Sequence, residues 1–181
     1  KLCLSPSEPV KTLWTIGHSN RELDDFLALL RSEQIQTLAD VRRFPGSRRH
    51  PQFNRDALSN SLTNSGLSYI HLPSLGGRRS KRLESSQNTG WRVAAFAAYA
   101  DYMLSDEFAR AFEELSALAS QSRTAIMCAE ALPWQCHRRL IADQFTAQGW
   151  RVCDIVGPNQ VREHSLPPFA TVVNGQVTYP G

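Results

Sequence analysis

The sequence predicts a single α/β domain: a mainly parallel sheet of about five strands with helices on both faces, followed by a hairpin-like tail. Three observations carry this. Short apolar runs alternate with stretches of helical spacing from residue 13 to residue 156, the signature of successive strand–helix–strand units. The chain has 181 residues, 41% of them hydrophobic, enough for one sizeable core and no more. Asn174-Gly175 sits between two short β-like runs, a strong hairpin signal. Internal repeats and low-complexity segments are lacking. The expected organisation is a flexible lead-in over 1–11, an α/β domain over 12–156 and a tail over 157–181.

The elements follow in order. Leu13–Ile16 reads as the first strand, stopped by Gly17-His-Ser-Asn20, where Ser19 or Asn20 can cap a helix. Leu23, Phe26, Leu27 and Leu30 share one face of that helix. Gln36–Val41 is the second strand, and Arg42–Gln52 a loop broken by Pro45, Gly46 and Pro51. A helix over Arg55–Asn64 ends at Gly66, and Leu67–Leu72 is the third strand. Residues 73–90 are polar and basic without periodicity, and loops of that length are usually functional or disordered. Trp91–Met103 and Glu107–Ala119 read as helices, Thr124–Cys128 as the fourth strand, Trp134–Gln148 as a helix and Arg151–Val156 as the fifth strand. Thr171–Val173 and Gln176–Tyr179 flank the hairpin turn.

Composition narrows the function. Net charge is only +3, but its distribution is uneven. Arg42, Arg43, Arg48 and Arg49 fall in one loop, and Arg78, Arg79, Lys81 and Arg82 in another, both after predicted strands. Such loops are either solvated surface or the binding face for an anion, phosphate first. No apolar stretch is long enough to span a membrane, and Lys1–Val10 lacks the apolar core of a secretory leader. A cytoplasmic location is therefore expected, with its four cysteines free or functional rather than a disulfide framework. The glycine patterns of phosphate-binding loops and dinucleotide folds are missing. A Cys-x7-Cys spacing with one adjacent His is not a zinc spacing. No cofactor or metal is expected.

The densest chemistry lies in Cys128-Ala-Glu-Ala-Leu-Pro-Trp-Gln-Cys-His-Arg-Arg139, a strand end, a tight loop and a helix start. In parallel sheets the carboxyl ends of strands share one edge, where ligands bind and helix N-termini favour anions. His18 and Asn20 follow the first strand; Asp40, Arg42 and Arg43 close the second; Arg78 and Arg79 follow the third; Cys128, Glu130, His137 and Arg138 follow the fourth. Asp40 and Glu130 could divide acid and base roles across a cleft, or Asp40 could pair with Arg42 or Arg138 and shape the loop. His18 and His137 could orient a ligand or relay a proton, or bond locally. Cys128 and Cys136 are possible reactive thiols, since helix N-termini and arginines lower a thiol pKa, or small buried residues. Phosphatase loops place an Arg six positions after the Cys; here those positions hold Trp134 and Ala142. Phe44, Phe53, Tyr69, Trp91 and Trp134 lie near these loops and could stack on bases or fill the core.

Four motifs together, Thr15–Asn20, Asp40–Ser47, Tyr69–Gly76 and Cys128–Arg138, resemble the bacterial and archaeal family called domain of unknown function 488 (DUF488), over roughly residues 12–156. The resemblance implies a single α/β domain and a connection to nucleic-acid metabolism, including removal of damaged bases. The expectation is thus an enzyme acting on nucleic acid or a nucleotide-like phosphate substrate, hydrolysing an N-glycosidic bond as a DNA glycosylase does. Asp40, Glu130, His18 and His137 would be catalytic. Asn20, Arg42, Arg43, Arg48, Arg78, Arg79 and Arg138 would hold the substrate. The alternatives are cysteine-dependent chemistry on a small anionic substrate, and a non-catalytic nucleic-acid-binding module.

Overall fold

The computed structural model describes residues 9–79 and 83–181. The expected lead-in over residues 1–8, with Cys3, and the basic residues Lys81 and Arg82 lie outside the described residues. The chain runs β1 (Thr12–Gly17), α1 (Leu23–Ser32), β2 (Thr37–Asp40), α2 (Arg55–Asn64), β3 (Ser68–His71), α3 (Ala94–Tyr102), α4 (Asp106–Gln121), β4 (Thr124–Cys128), α5 (Arg138–Ala147), β5 (Arg151–Gly157), β6 (Gln160–Glu163), β7 (Thr171–Val173) and β8 (Gln176–Thr178). One sheet has the order β3-β2-β4-β1-β5-β6, and β7-β8 form a separate two-stranded ribbon. The first five strands are parallel neighbours.

A sixth strand goes beyond the expected five. β6 pairs antiparallel with β5 on the sheet edge. Its four residues are all exposed and only Val161 is aliphatic, so the segment lacks the apolar run that marks the buried strands. Helices α3 and α5 start later than expected. Residues 91–93 precede α3, and Pro133–Gln135 make one 3-10 turn before α5, which leaves Cys136 extended and His137 at the helix N-cap.

Alternation along each central strand splits the core in two. Trp14 and Ile16 of β1, Leu38 of β2, and Ala125 and Met127 of β4 pack under α1 and α2 with Phe26, Leu30, Leu58 and Leu62. Leu13, Ala39, Ile126 and Val152 pack on the other face, under α3, α4 and α5. That parity also aims the strand ends. Asp40 falls on the α1/α2 face with Leu38, whereas Thr15, Cys128 and Asp154 fall on the α3–α5 face. Asp106 and Glu107 lie in the first turn of α4, where negative charge complements the helix dipole, and Ser105 Oγ accepts from the Phe108 N–H at 3.2 Å.

The C-terminal segment completes the α5 face. Asn174 and Gly175 both have positive φ (51° and 75°), as a two-residue hairpin turn requires. Val177 and Tyr179 are buried against α5. The Gln144 side chain donates to the Gly175 carbonyl at 2.7 Å and accepts from the Val177 N–H at 3.1 Å. Among the described residues, no helix is long and apolar enough to cross a membrane.

Candidate functional site

A cavity of about 420 Å³ opens at the carboxyl ends of β2 and β4. Arg42, Arg43 and Arg78 line it together with Cys128, Cys136 and His137, and Glu130 and Phe44 stand exposed beside them. Loops meet here at backbone distance, and glycine permits it. A Cβ on Gly17 would fall 1.7 Å from the Glu130 carbonyl oxygen, and one on Gly77 would fall 2.9 Å from His137 Nδ1. Any larger residue would push the loop after β4, or the imidazole, out of place.

The sulfur atoms of Cys128 and Cys136 are in direct contact, with their Cα atoms 7.5 Å apart. The 3-10 turn over Pro133–Gln135 folds the loop back and brings the two residues together. Of the remaining described cysteines, Cys153 is free and buried on the opposite face.

Arg138 is fully buried behind the sulfurs. Its Nη1 donates to Cys128 Sγ at 2.7 Å and to the Glu130 carbonyl, its Nη2 to the Ala131 carbonyl at 3.0 Å, and its Nε to Thr15 Oγ1 at 3.4 Å. Among the described residues, no carboxylate forms an ion pair with this guanidinium. Burial lowers its pKa to about 10, while the charges of Asp154 and Glu130 act in the opposite direction. The cost of burying this cation is met by carbonyl, hydroxyl and sulfur acceptors and by the nearby charges of Asp154 and Glu130. His137 Nε2–H donates to the Val41 carbonyl at 2.9 Å, which leaves the Nδ1 lone pair facing Cys136 Sγ at 3.4 Å. Burial holds the His137 pKa down to about 4, so the ring is neutral at physiological pH and can accept a thiol hydrogen.

Asp40 and His18 lie elsewhere. Asp40 is completely buried and does not line the cavity. Its carboxylate takes Arg42 in a fork, at 2.9 Å to Nε and 2.6 Å to Nη2, and accepts from the Tyr69 hydroxyl at 2.7 Å. His18 stacks on Phe53 at 4.4 Å, donates from Nδ1 to the Ser19 carbonyl at 2.8 Å, and accepts from Arg42 Nη1 at 3.2 Å. Burial lowers its pKa to about 4. Asp40, His18 and Tyr69 therefore position Arg42, whose edge reaches the cavity. Asn20 and Arg48 are exposed and outside it, and Arg79 lines a neighbouring cavity. Of the five nearby aromatics, Phe53 and Trp91 are core, and Phe44 is exposed beside the cavity with the Arg43 guanidinium 5.6 Å from its ring centroid.

Sequence reasoning missed a third buried group. His164 Nε2 meets Asp143 Oδ1 at 2.7 Å and its Nδ1 meets Asp154 Oδ2 at 3.3 Å, while the Tyr179 hydroxyl donates to Asp143 at 2.7 Å. Thr15 Oγ1 links Asp154 to Arg138. Burial alone would lower the His164 pKa, but hydrogen bonds to the two carboxylates raise it to about 9, so the ring is protonated. These residues are far apart in sequence and carry no shared motif. Among the described residues, no group of three or more His, Cys, Asp or Glu is placed to hold a metal ion.

No curated protein and no solved structure matches this chain. The family described as domain of unknown function DUF488 matches residues 22–145, well over half of its length, and the chain belongs to that family.

Proposed function

We propose that this protein is a thiol–disulfide oxidoreductase acting on an anionic disulfide of low molecular weight. One observation carries the reading: two cysteine sulfurs meet at the floor of an arginine-rimmed cavity, one against a buried guanidinium and the other against a neutral imidazole. Hydrolysis of an N-glycosidic bond has less support, because a carboxylate pair across the cavity needs Asp40, which is enclosed on the other face of the sheet.

In the reduced protein the Cys128 thiolate, held by Arg138, attacks one sulfur of the substrate R–S–S–R′. The substrate bond breaks, a Cys128–S–S–R mixed disulfide forms, and R′–S⁻ leaves. Cys136 passes its proton towards His137 Nδ1 and attacks the Cys128 sulfur. The Cys128–Cys136 bond forms, R–S⁻ leaves, and the proton goes to a departing thiolate. Two electrons pass from the protein to the substrate, and a dithiol reductant restores the starting state. Arg43 and Arg78, which form no ion pair with a carboxylate among the described residues, hold the acid group of the substrate by charge-assisted hydrogen bonds.

The test is the reaction of the pre-reduced protein, freed of reductant, with an anionic aromatic disulfide, dithiobis(nitrobenzoate), followed by the equivalents of thiolate released. Cys128→Ser is expected to abolish this release. Cys136→Ser is expected to stop after one equivalent, with a mixed disulfide on Cys128 visible by mass spectrometry. Release unaffected by either substitution would overturn the assignment.

A further inference from the structure

A second cavity of about 470 Å³ lies beside the sulfur-floored one, and Arg43 and Arg78 line both. Arg79 and Tyr102 form part of its wall, and Leu83, Ala98 and Leu104 give it an apolar lining. Three guanidinium groups thus converge on one concave surface. Among the described residues, none of the three forms an ion pair with a carboxylate. The carboxylate in the wall, Asp101, is engaged by the Leu83 N–H at 2.9 Å, the Ser86 hydroxyl and Asn88 Nδ2 at 2.9 Å, so it braces the loop.

The arginines are also held in place. Arg79 lies flat on the Tyr102 ring, its guanidinium carbon 3.5 Å from the centroid, and donates to the Ser74 and Gly76 carbonyls at 3.2 and 3.4 Å. A planar cation fixed by stacking and two carbonyls loses little entropy on binding. Arg78 has φ 59°, a left-handed conformation that is uncommon for a residue of its type and is found at ligand clamps. Gly76 and Gly77 immediately precede it, with Gly76 pressed against the Arg43 backbone. Three cations thus border one trench with an apolar lining. That suits a small anion better than a nucleic-acid strand, which needs a basic stripe along its length.

We infer that this outer cavity is a second anion subsite. It takes a carboxylate or phosphate at the far end of the substrate on Arg78 and Arg79, while the disulfide reaches Cys128 in the inner cavity. The inference rests on the thiol–disulfide reading for its substrate and on the arginine geometry for its ligand chemistry. The preferred substrate is a disulfide with at least two acid groups separated by an apolar segment, which lies on Leu83, Ala98 and Leu104.

Two measurements separate the two layers. Orthophosphate binding to the oxidised protein, followed by calorimetry, involves no thiol. Arg79→Gln is expected to weaken it about tenfold, the loss of one charge-assisted hydrogen bond, and Arg79→Lys to recover part of that loss. Kinetics then compare dithiobis(nitrobenzoate) with uncharged dithiodipyridine. Wild type is expected to favour the anionic disulfide through KM, and Arg79→Gln to move the preference ratio about tenfold towards unity. Arg79-dependent phosphate binding without turnover of either disulfide would overturn the oxidoreductase reading and keep the subsite. Turnover with no phosphate binding and no change in the ratio would overturn the subsite. An oligonucleotide that binds through Arg79 far more tightly than phosphate, in a salt-dependent manner, would overturn the small-ligand assignment.

Discussion

Two arginines are buried at the carboxyl edge of the same sheet, and they are satisfied in opposite ways. Arg42, on the α1/α2 side, is saturated: the Asp40 fork, His18 Nε2 and the Phe53 carbonyl take its donors. Arg138, on the α3–α5 side, meets carbonyls, a hydroxyl and a sulfur. A guanidinium neutralised by a buried carboxylate fixes a loop. One that lacks such a partner stabilises whatever negative charge its neighbour can develop, and that neighbour is a cysteine already touching a second cysteine. The contrast separates architecture from chemistry although both clusters are equally hidden from solvent.

The largest expected effect breaks the comparison by mutation. Asp40→Ala strands the buried Arg42 charge, so urea denaturation should show a loss of about 3–5 kcal/mol. Cys128→Ser in the reduced protein keeps a hydrogen-bond acceptor for Arg138, so it should cost only about 1 kcal/mol while abolishing disulfide reduction. Similar midpoints for the two variants would erase the distinction between the arginine clusters.

The next effect is smaller and follows pH. His18 and His137 have folded-state pKa values near 4, below the ordinary 6.5. Between those values the unfolded chain binds protons that the native state does not, so stability falls as pH drops from 6.5 to 4. His164 has the opposite sign. Its pKa near 9 means that the native state keeps a proton the unfolded chain has released, so its contribution is complete below 6.5 and is lost as pH rises through 9. Each group contributes a slope of up to about 1.4 kcal/mol per pH unit. Stability should therefore peak near pH 6.5, and His164→Gln should flatten the alkaline limb. A stability that keeps rising to pH 9 would contradict the protonated His164.

The succession of strands and helices along the chain was legible in the sequence, but the strand order in the sheet and the direction of each side chain were not. Glycines, prolines and apolar runs marked the five parallel strands, and the rule for parallel sheets placed their carboxyl ends on one edge. Asp40 and Cys128 both end apolar runs on one edge of the sheet. Only the pairing register, with Asp40 opposite Met127, shows that they face opposite sides. Strands buried on both faces are apolar throughout and conceal that parity. The Cys128–Cys136 contact depends on a 3-10 turn that the sequence pattern merges into the following helix. The turn Pro158-Asn159 was the available signal for β6, whose exposed residues offered no other. His164, Asp143 and Asp154 come together only because the C-terminal segment folds back over α5.

The central claim is that Arg138 outweighs burial at Cys128. Burial raises a thiol pKa, and an adjacent guanidinium lowers it. The direct measurement is the pH dependence of Cys128 alkylation by iodoacetamide in the reduced protein, resolved site by site by mass spectrometry. The account predicts a midpoint well below the ordinary value of about 8.5, shifted upward in Arg138→Met. A midpoint at or above that value in the wild type would show that burial prevails and that Cys128 is not the nucleophile.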